Sequence, residues 1–474
     1  MPKYRLIIAL VIAYTVIAVA AHAQTFDSLV SLDGTNGASP QFASLVQGPD
    51  GNLYGTTVYG GIGQGCAPVP GCGTVFRLTP TGRLTTLYSF CVQSACADGS
   101  EPYAGVSLGT DGNFYGTTGS GGTKGWGTVY RITPGGRLTT LYNFCSQPDC
   151  SDGAAPVGAL VEAEDGNFYG TTNSGGTGDF TLCTDSVIGC GTIFRITSNG
   201  KLKTLYSFCT QPSCSDGNQP YGALVQGSDG NLYGTTFLGG VYSQYGGTVF
   251  KITLSGTLTT LHSFNQTDGR EPLAGLVQAE DGKFYGTAQF ALYRVASNGA
   301  FSLLVEFPSA VAAPLIQATD GRFYGAAEAE RFNNVGAVFL FTLADHLKDL
   351  HNFDVDDGAV PFGGLFQATN GLIYGMTYGG GFYREGTIYS LDLGLGPFVT
   401  FVRAVGKVGQ TGGILGQGFN GTSSVTINGL PANFTVKSDT YLTVTVPSGA
   451  TTGYVTVTTP SGTLTSNVPF RVIQ

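Results

Sequence analysis

The chain has 474 residues, of which 74 are glycine and only 11% are charged. Its length predicts two or more folding units, and the Gly-, Thr-, Tyr- and Phe-rich composition predicts strands joined by tight turns rather than a helical protein. A hydrophobic content of 42% is too high for a disordered chain, and a net charge of −9 lacks the basic surface that a nucleic-acid partner needs.

The first 23 residues read as a Sec-type signal peptide. Lys3 and Arg5 form the basic n-region, residues 6–20 the apolar stretch, and Ala21-His22-Ala23 an A-x-A cleavage site after Ala23. The rival reading, a membrane anchor, needs a longer apolar run. No cysteine follows the cleavage point and no second apolar stretch occurs. The mature chain is therefore expected to be secreted, periplasmic or at the cell surface, monomeric, and not membrane-spanning.

From residue 24 to 396 the chain repeats itself. Asp-Gly-x-(Leu/Phe)-Tyr-Gly recurs with tyrosines at 54, 115, 169, 233, 285, 324 and 374, the last copy carrying Asn370 and Ile373, with spacings of 61, 54, 64, 52, 39 and 50 residues. A period near 50 built only from β-type segments predicts propeller blades. Each unit resolves into four strands, A to D from the axis outward. In the second unit these are residues 104–108, 113–118, 127–133 and 138–144, with turns at Thr110-Asp111-Gly112 and Pro134-Gly135-Gly136. The seventh unit has strands near 365–367, 372–377 and 387–391 but no D strand. Residues 26–32, followed by Asp33-Gly34, mimic the missing strand, so the N-terminus is expected to close a seven-bladed ring.

Gly-Asn-Leu-Tyr-Gly-Thr-Thr (51–57) and Gly-Thr-Val-Phe-Arg-Leu-Thr-Pro (73–80) carry a resemblance to the GloVer-type tandem repeat of exported bacterial proteins, described as choice-of-anchor proteins. The resemblance covers residues 25–395, with the fifth unit (Ala288-Gln289-Phe290) and the sixth departing most. It implies architecture and export, and no activity. After Pro397 the period stops. Gly-Gln-Gly-Phe (416–419), Val-Thr-Ile-Asn-Gly (425–429) and Val-Pro-Ser-Gly-Ala (446–450) make residues 397–474 similar to an IPT/TIG domain, an immunoglobulin-like β-sandwich that serves as a spacer or binding module. No sorting motif or apolar tail is seen, so the variable anchor is expected to be missing. The fold class is thus all-β.

Ten cysteines form five local pairs: Cys66/Cys72, Cys91/Cys96, Cys145/Cys150, Cys183/Cys190 and Cys209/Cys214. Even count, close spacing and export predict disulfides, with zinc disfavoured because histidines are few and the pairs belong to different blades. In a four-strand meander the D–A and B–C loops share one rim, which places all ten on one face. That face also collects Tyr59, Trp126, Phe180, Tyr242, Tyr245, Tyr378, Phe382 and Tyr383, each explicable as loop packing, and together a stacking platform for sugar rings. Asp98, Asp152, Asp179, Asp185, Asp216, Asp268, Asp356 and Asp357 lie among them. Calcium is one reading of these acids, turn chemistry the other.

Catalytic signatures are absent, and no cofactor is expected. His22 leaves with the signal peptide, His346 falls at a C–D turn, and His262 and His351 occupy the D-strand position of Tyr88, Tyr142 and Tyr206 as packing substitutes. No Ser-His-Asp grouping or phosphate loop emerges. Streptogramin-lyase-like propellers have a similar Asp-Gly-Asn repeat, but a histidine near the channel is what their chemistry needs, and both candidates lie on outer strands. The expectation is a non-enzymatic binding or scaffold protein holding a glycan or protein on its loop face. A purely structural surface protein and a glycan-processing or lyase-type enzyme are the alternatives.

Overall fold

The computed structural model describes residues 24–473 except 67–69, 180, 182, 184–187, 243–245, 266, 308–312, 329–334 and 344–345. Residues 1–23, where a signal peptide is expected, and Phe180, Asp185 and Tyr245 lie outside the described residues. Among the described residues the chain is all-β apart from short 3-10 turns.

Seven four-stranded antiparallel sheets repeat along the chain, each in the order A-B-C-D. In the first they are Val46–Gln47, Leu53–Thr57, Thr74–Leu78 and Leu84–Ser89. The A strands are shorter than the sequence predicts: Ser107–Leu108 replaces residues 104–108, because the preceding residues run against the neighbouring sheets instead of joining the ladder. His346 opens a D strand, His346–Asn352, where a turn was expected. In the seventh sheet the D position is filled by Thr25–Ser31, paired antiparallel with Thr387–Asp392. Its register shift between Ser28 and Val30 matches the shift at the C–D pairing of every other sheet, so the N-terminal strand is a full structural equivalent of the others.

The repeated motif has one physical explanation per residue. Each tyrosine hydroxyl returns to its own turn: Tyr54 donates to Asp50 at 2.9 Å, Tyr115 to Asp111 at 2.9 Å and Tyr233 to Asp229 at 2.7 Å. Its ring packs on the next sheet, with Tyr54–Phe114 and Tyr115–Phe168 centroids 4.1 and 3.9 Å apart. The following glycine is needed because a Cβ on Gly55 would lie 2.6 Å from the Phe76 ring. The last threonine bonds a threonine opening strand C, at 2.9 Å for Thr118 and Thr128. In the fifth and sixth sheets both partners become alanine together (Ala288 and Ala291, Ala327 and Ala337), which leaves no buried hydroxyl unpaired.

Sheets are joined at the axis by a girdle. The residue ending strand A accepts a hydrogen bond from the backbone N–H in the A–B turn of the preceding sheet: Glu162 from Thr110 (2.7 Å), Gln226 from Glu164 (2.9 Å), Gln278 from Ser228 (2.8 Å), Gln317 from Glu280 (2.9 Å), Gln367 from Thr319 (3.0 Å) and Gln47 from Thr369 (2.9 Å). The last of these joins the seventh sheet to the first, and their side chains share one core (Leu45, Phe76, Tyr374, Ile388). The sheets therefore pack in a closed, propeller-like cycle. At the joint between the first and second sheets the donor position is Pro49, which has no N–H, and the acceptor position is Leu108.

That irregular joint is where residues 398–473 dock. They form two four-stranded sheets and a two-stranded parallel pair (Val405–Lys407 with Arg471–Ile473) around Ile414, Phe419, Val425, Leu442 and Val457. Ser438 and Thr440 donate to the Pro49 carbonyl at 3.2 and 2.8 Å, while Leu108 packs with Val402, Leu415 and Tyr441. Across the ring, Arg403 pairs with Glu162 at 3.6 Å, both largely buried, and Arg471 pairs with Glu164. Gln417 reaches Thr369 at 2.9 Å. These C-terminal sheets thus cover the A–B turn rim, opposite the cysteine-bearing loops.

Two outcomes are expected. Thr118→Ala strands the buried Thr128 hydroxyl and lowers stability by about 1–3 kcal/mol, whereas Thr118→Ala/Thr128→Ala costs less than the sum of the single changes, read by denaturant melts. Glu162→Gln keeps the girdle bond but leaves Arg403 without its carboxylate. It weakens the docking by on the order of 3 kcal/mol, seen as faster proteolysis of the 393–397 connection.

Candidate functional site

The D–A and B–C loops do share one rim. In six of the seven sheets the described residues show the entering D–A loop bridged to the B–C loop: Ala38 with Tyr59, Ser100 with Ser120, Ala154 with Ser174, Asn218 with Leu238, Arg270 with Gln289 and Ala359 with Gly379. All five cysteine pairs on this rim are disulfide-bonded: Cys66–Cys72, Cys91–Cys96, Cys145–Cys150, Cys183–Cys190 and Cys209–Cys214. The C-x4-C bridges hold compact turns in which both cysteines take left-handed backbone conformations, with φ of 59° at Cys91 and 51° at Cys96.

One expectation about the cysteines is corrected by this geometry. The pairs do not stand apart, because a B–C loop lies beside the D–A loop leaving the same sheet. The sulfurs of Cys72, Cys91 and Cys96 lie within 4.8 Å of one another, and so do those of Cys183, Cys190 and Cys209. Cys150 and Cys214 belong to two of these D–A turns. They end the 3-10 turns Pro148–Cys150 and Pro212–Cys214, and both are buried. Their carbonyls link two loops. That of Cys150 accepts from the N–H groups of Gly153 (2.8 Å) and Gly176 (2.9 Å), and that of Cys214 from Gly217 (2.8 Å) and Gly240 (2.9 Å). Each therefore ties its D–A turn to the B–C loop of the next sheet. These two cysteines serve loop bracing and offer no surface to a ligand.

The loop carboxylates are held by the fold. Asp98 is fully buried and accepts from the Tyr88 hydroxyl (2.9 Å) and from the backbone N–H groups of Val92 and Gln93. Asp152 and Asp216 repeat this with Tyr142 and Tyr206. Burial, reinforced by the aspartate, pushes Tyr88 up to about 12. His262 and His351 take over the tyrosine's part, bonding Asp268 at 3.0 Å and Asp357 at 2.8 Å and stacking on Phe301 and Phe26. Of the remaining acids, Asp179 accepts from Thr181 and Asp356 from Arg384.

The predicted aromatic set divides in two. Trp126, Tyr242, Phe382 and Tyr383 are exposed and distributed around the outer rim, Phe382 and Tyr383 touching each other. Tyr59 and Tyr378 are half-buried and come together near the axis, where burial and then the nearby Glu101 carboxylate raise the Tyr59 hydroxyl. There they meet residues that sequence reasoning missed. Phe42, Tyr103, Val157, Tyr221, Leu273 and Phe362 occupy equivalent positions just before the A strands. Phe42 touches Phe362 (6.1 Å between centroids) and Tyr221 across the ring (6.4 Å); Tyr221 packs on Phe237 and Phe362 on Tyr378. Tyr103 bonds Glu101, which also accepts from Ser120 at 3.0 Å. The available signal was the Pro-aromatic dipeptide in Glu-Pro-Tyr (101–103), Gln-Pro-Tyr (219–221) and Val-Pro-Phe (360–362).

Glu328 follows its B strand at the position held by Phe237 and Tyr378, beside this axial mouth, and burial lifts its carboxyl to about 7. Beneath the mouth lies an axial cavity of about 500 Å³, walled by the A strands and floored by Thr400, Phe401, Val402 and Leu415 of the C-terminal sheets.

The His262 site gives a pH test. Burial depresses its pKa below 6.5 despite Asp268, so the folded protein holds the ring neutral while the unfolded chain takes up a proton. The stability this contributes is present above pH 6.5 and is lost as pH falls below it. His262→Tyr, which restores the residue of the other sheets, is expected to flatten that part of the melting-temperature profile.

The Gloeobacter/Verrucomicrobia repeat matches residues 14–210 and 69–291. Among curated proteins no sequence matches the chain. Solved structures similar to it include streptogramin B lyase (15% identity, TM-score 0.49, 78% of this chain and 97% of that one). Others are PorZ, a surface component of the type-IX secretion system of Porphyromonas gingivalis (14%, 0.47, 94% and 61%), and the gluconolactonase XC5397 of Xanthomonas campestris (13%, 0.39, 67% and 91%). With more than half its length matched by that repeat, the chain belongs to the Gloeobacter/Verrucomicrobia repeat family.

Proposed function

We propose that this is an exported, non-enzymatic binding protein: a seven-bladed β-propeller over residues 24–396 with an immunoglobulin-like, IPT/TIG-type domain at 397–474, holding a glycan or protein ligand at the axial mouth of its loop face. The observation that carries the reading is the convergence of Tyr59, Tyr103 and Tyr378 around Glu101, with Phe42, Tyr221 and Phe362 alongside. Tyrosine rings offer flat apolar faces and hydroxyls, and a carboxylate accepts from sugar hydroxyls or peptide amides, so the group suits a polar ring stacked face-on. The disulfide-braced loops around it supply a rigid frame and fit an extracytoplasmic setting. The C-terminal unit acts in this reading as a docked floor, leaving the loop face as the open side.

A second reading, a glycan-processing or lyase-type propeller, is favoured by one observation: the Glu328 carboxyl, lifted to about 7, has a pKa fit for proton transfer at neutral pH.

The test is a binding screen of the oxidised mature protein against soluble polysaccharides and cell-wall glycans. Tyr103→Ala and Tyr378→Ala are expected to lower affinity at least tenfold, with Trp126→Ala and Phe382→Ala near wild type. A ligand lost only in the latter two would move the site to the outer rim. Substrate turnover abolished by Glu328→Gln would establish the enzymatic reading instead.

A further inference from the structure

The axial cavity has the wrong chemistry for the ligand that the mouth suits. Its lining is mostly apolar: Val46, Val161 and Val225 are partly exposed there, whereas Leu160, Leu224 and Leu276 turn their side chains onto the strand-B glycines Gly170, Gly234 and Gly286. The polar side chains Gln47, Ser107 and Glu162 in that wall are already engaged. Gln47 is bonded to Thr369, Ser107 to the Leu160 carbonyl, and Glu162 to Thr110 and Arg403. Ser44 and Thr400 add two hydroxyls to the lining, but over its apolar part an aliphatic guest gives up no hydration on entering.

The space exists because the segments leading into the A strands are small: Ala104-Gly105, Gly158-Ala159, Gly222-Ala223, Ala274-Gly275 and Gly363-Gly364. Adjacent segments run in contact, so that a Cβ on Gly105 would lie 2.2 Å from the Ser44 carbonyl and one on Gly222 2.7 Å from the Ala274 backbone. The wall is therefore backbone-rigid and cannot collapse inward to fill the void. Phe42 and Tyr221 form the roof, and Phe401, Val402 and Leu415 close the other end. A volume of about 500 Å³ lies within the range of small-molecule sites.

We propose that this chamber binds one aliphatic chain, entering from the loop face past the half-buried Phe42 ring. Two sources share that chemistry: a free long-chain alcohol, and the alkyl tail of a glycolipid whose sugar would rest on the tyrosines above. The second source rests on the loop-face reading of the preceding section; the chamber itself does not.

Calorimetric titration of the full mature protein with 1-dodecanol, with n-dodecyl β-D-maltoside below its micellar concentration, and with maltose separates the cases. One-to-one binding of the alkyl probes is expected, gaining roughly fourfold in affinity per added methylene up to the length of the chamber. Leu273→Trp, which places an indole in the wall just inside the mouth, should weaken both alkyl probes at least tenfold. Should that variant fail to fold, Phe401→Ala deepens the floor and should shift the preferred chain from dodecyl to a longer alkyl maltoside. Dodecyl maltoside binding well above dodecanol identifies the glycolipid source, and equal affinities identify the free chain. If dodecanol binds while no glycan does in any assay, the chamber stands and the glycan reading falls. Absence of saturable binding by both alkyl probes overturns the proposal, as does binding that neither variant changes.

Discussion

The structure depends on how seven sheets are fastened around a common axis. Strand A is only two residues long, so the ladder alone cannot hold the centre together. The fastening falls to the amide or carboxylate that ends strand A, reaching the backbone N–H of the preceding A–B turn at 2.7–3.0 Å. Each bond is worth only about a kilocalorie net, so the fastening works through their number and not through any one of them. Six such bonds linked in a cycle, together with N-terminal strand pairing in the seventh sheet, make opening of any one joint require disturbing its neighbours.

The exception defines the molecule's asymmetry. Pro49 removes the donor and Leu108 the acceptor at a single joint, and the C-terminal sheets occupy it, with Ser438 and Thr440 on the Pro49 carbonyl and Leu415 on Leu108. A second departure, Glu162 where five other sheets have glutamine, supplies the carboxylate for Arg403. Docking is thus encoded by deviations from the repeat, which fix both the face and the rotational position of the C-terminal unit. With the turn rim covered, the C-terminal sheets supply the floor of the axial cavity.

Much of this was legible in the chain. Tyr54-Gly55-Thr56-Thr57 and its copies announce themselves because the same buried environment recurs seven times, and residues 26–32 could be matched to the missing D strand because an unpaired edge is costly. The cysteine pairing was legible for the same local reason, whereas the bonds that tie the Cys150 and Cys214 carbonyls to a B–C loop more than twenty residues later were not. The mouth was only half legible. Tyr59 and Tyr378 sit in visible B–C loops, but Phe42, Tyr103, Tyr221 and Phe362 occupy one structural ring from four sheets far apart in sequence. Locally only the Pro-aromatic dipeptide before Tyr103, Tyr221 and Phe362 sets them apart from the ordinary hydrophobic residues that precede a strand. Trp126, the lone tryptophan, drew attention by its rarity, although its position is peripheral. Docking was illegible because a single Pro or Glu in a degenerate repeat carries meaning only when the partner's position is known.

The degenerate sheets show what the repeat must retain physically. Where a threonine pair is lost, both members go; where tyrosine becomes histidine, the ring still stacks and the nitrogen still reaches the loop aspartate; where the turn loses its N–H, the facing residue loses its amide. In each case the cost of one buried unpaired polar group exceeds the value of the bond itself, so substitutions survive in matched pairs. Three buried tyrosines of strand C, Tyr130, Tyr293 and Tyr389, break this rule, with hydroxyls that find no partner where other sheets have phenylalanine. Their Oη atoms sit against the strand-B glycines, 2.4 Å from where a Cβ on Gly116 would stand and 2.3 Å for Gly375. The glycine that admits a phenylalanine ring also leaves room for one more oxygen, so tyrosine is tolerated sterically while remaining a desolvation cost. The strand-B glycine therefore sets the outer limit of side-chain size in this layer, and the strand-C aromatic varies only within it.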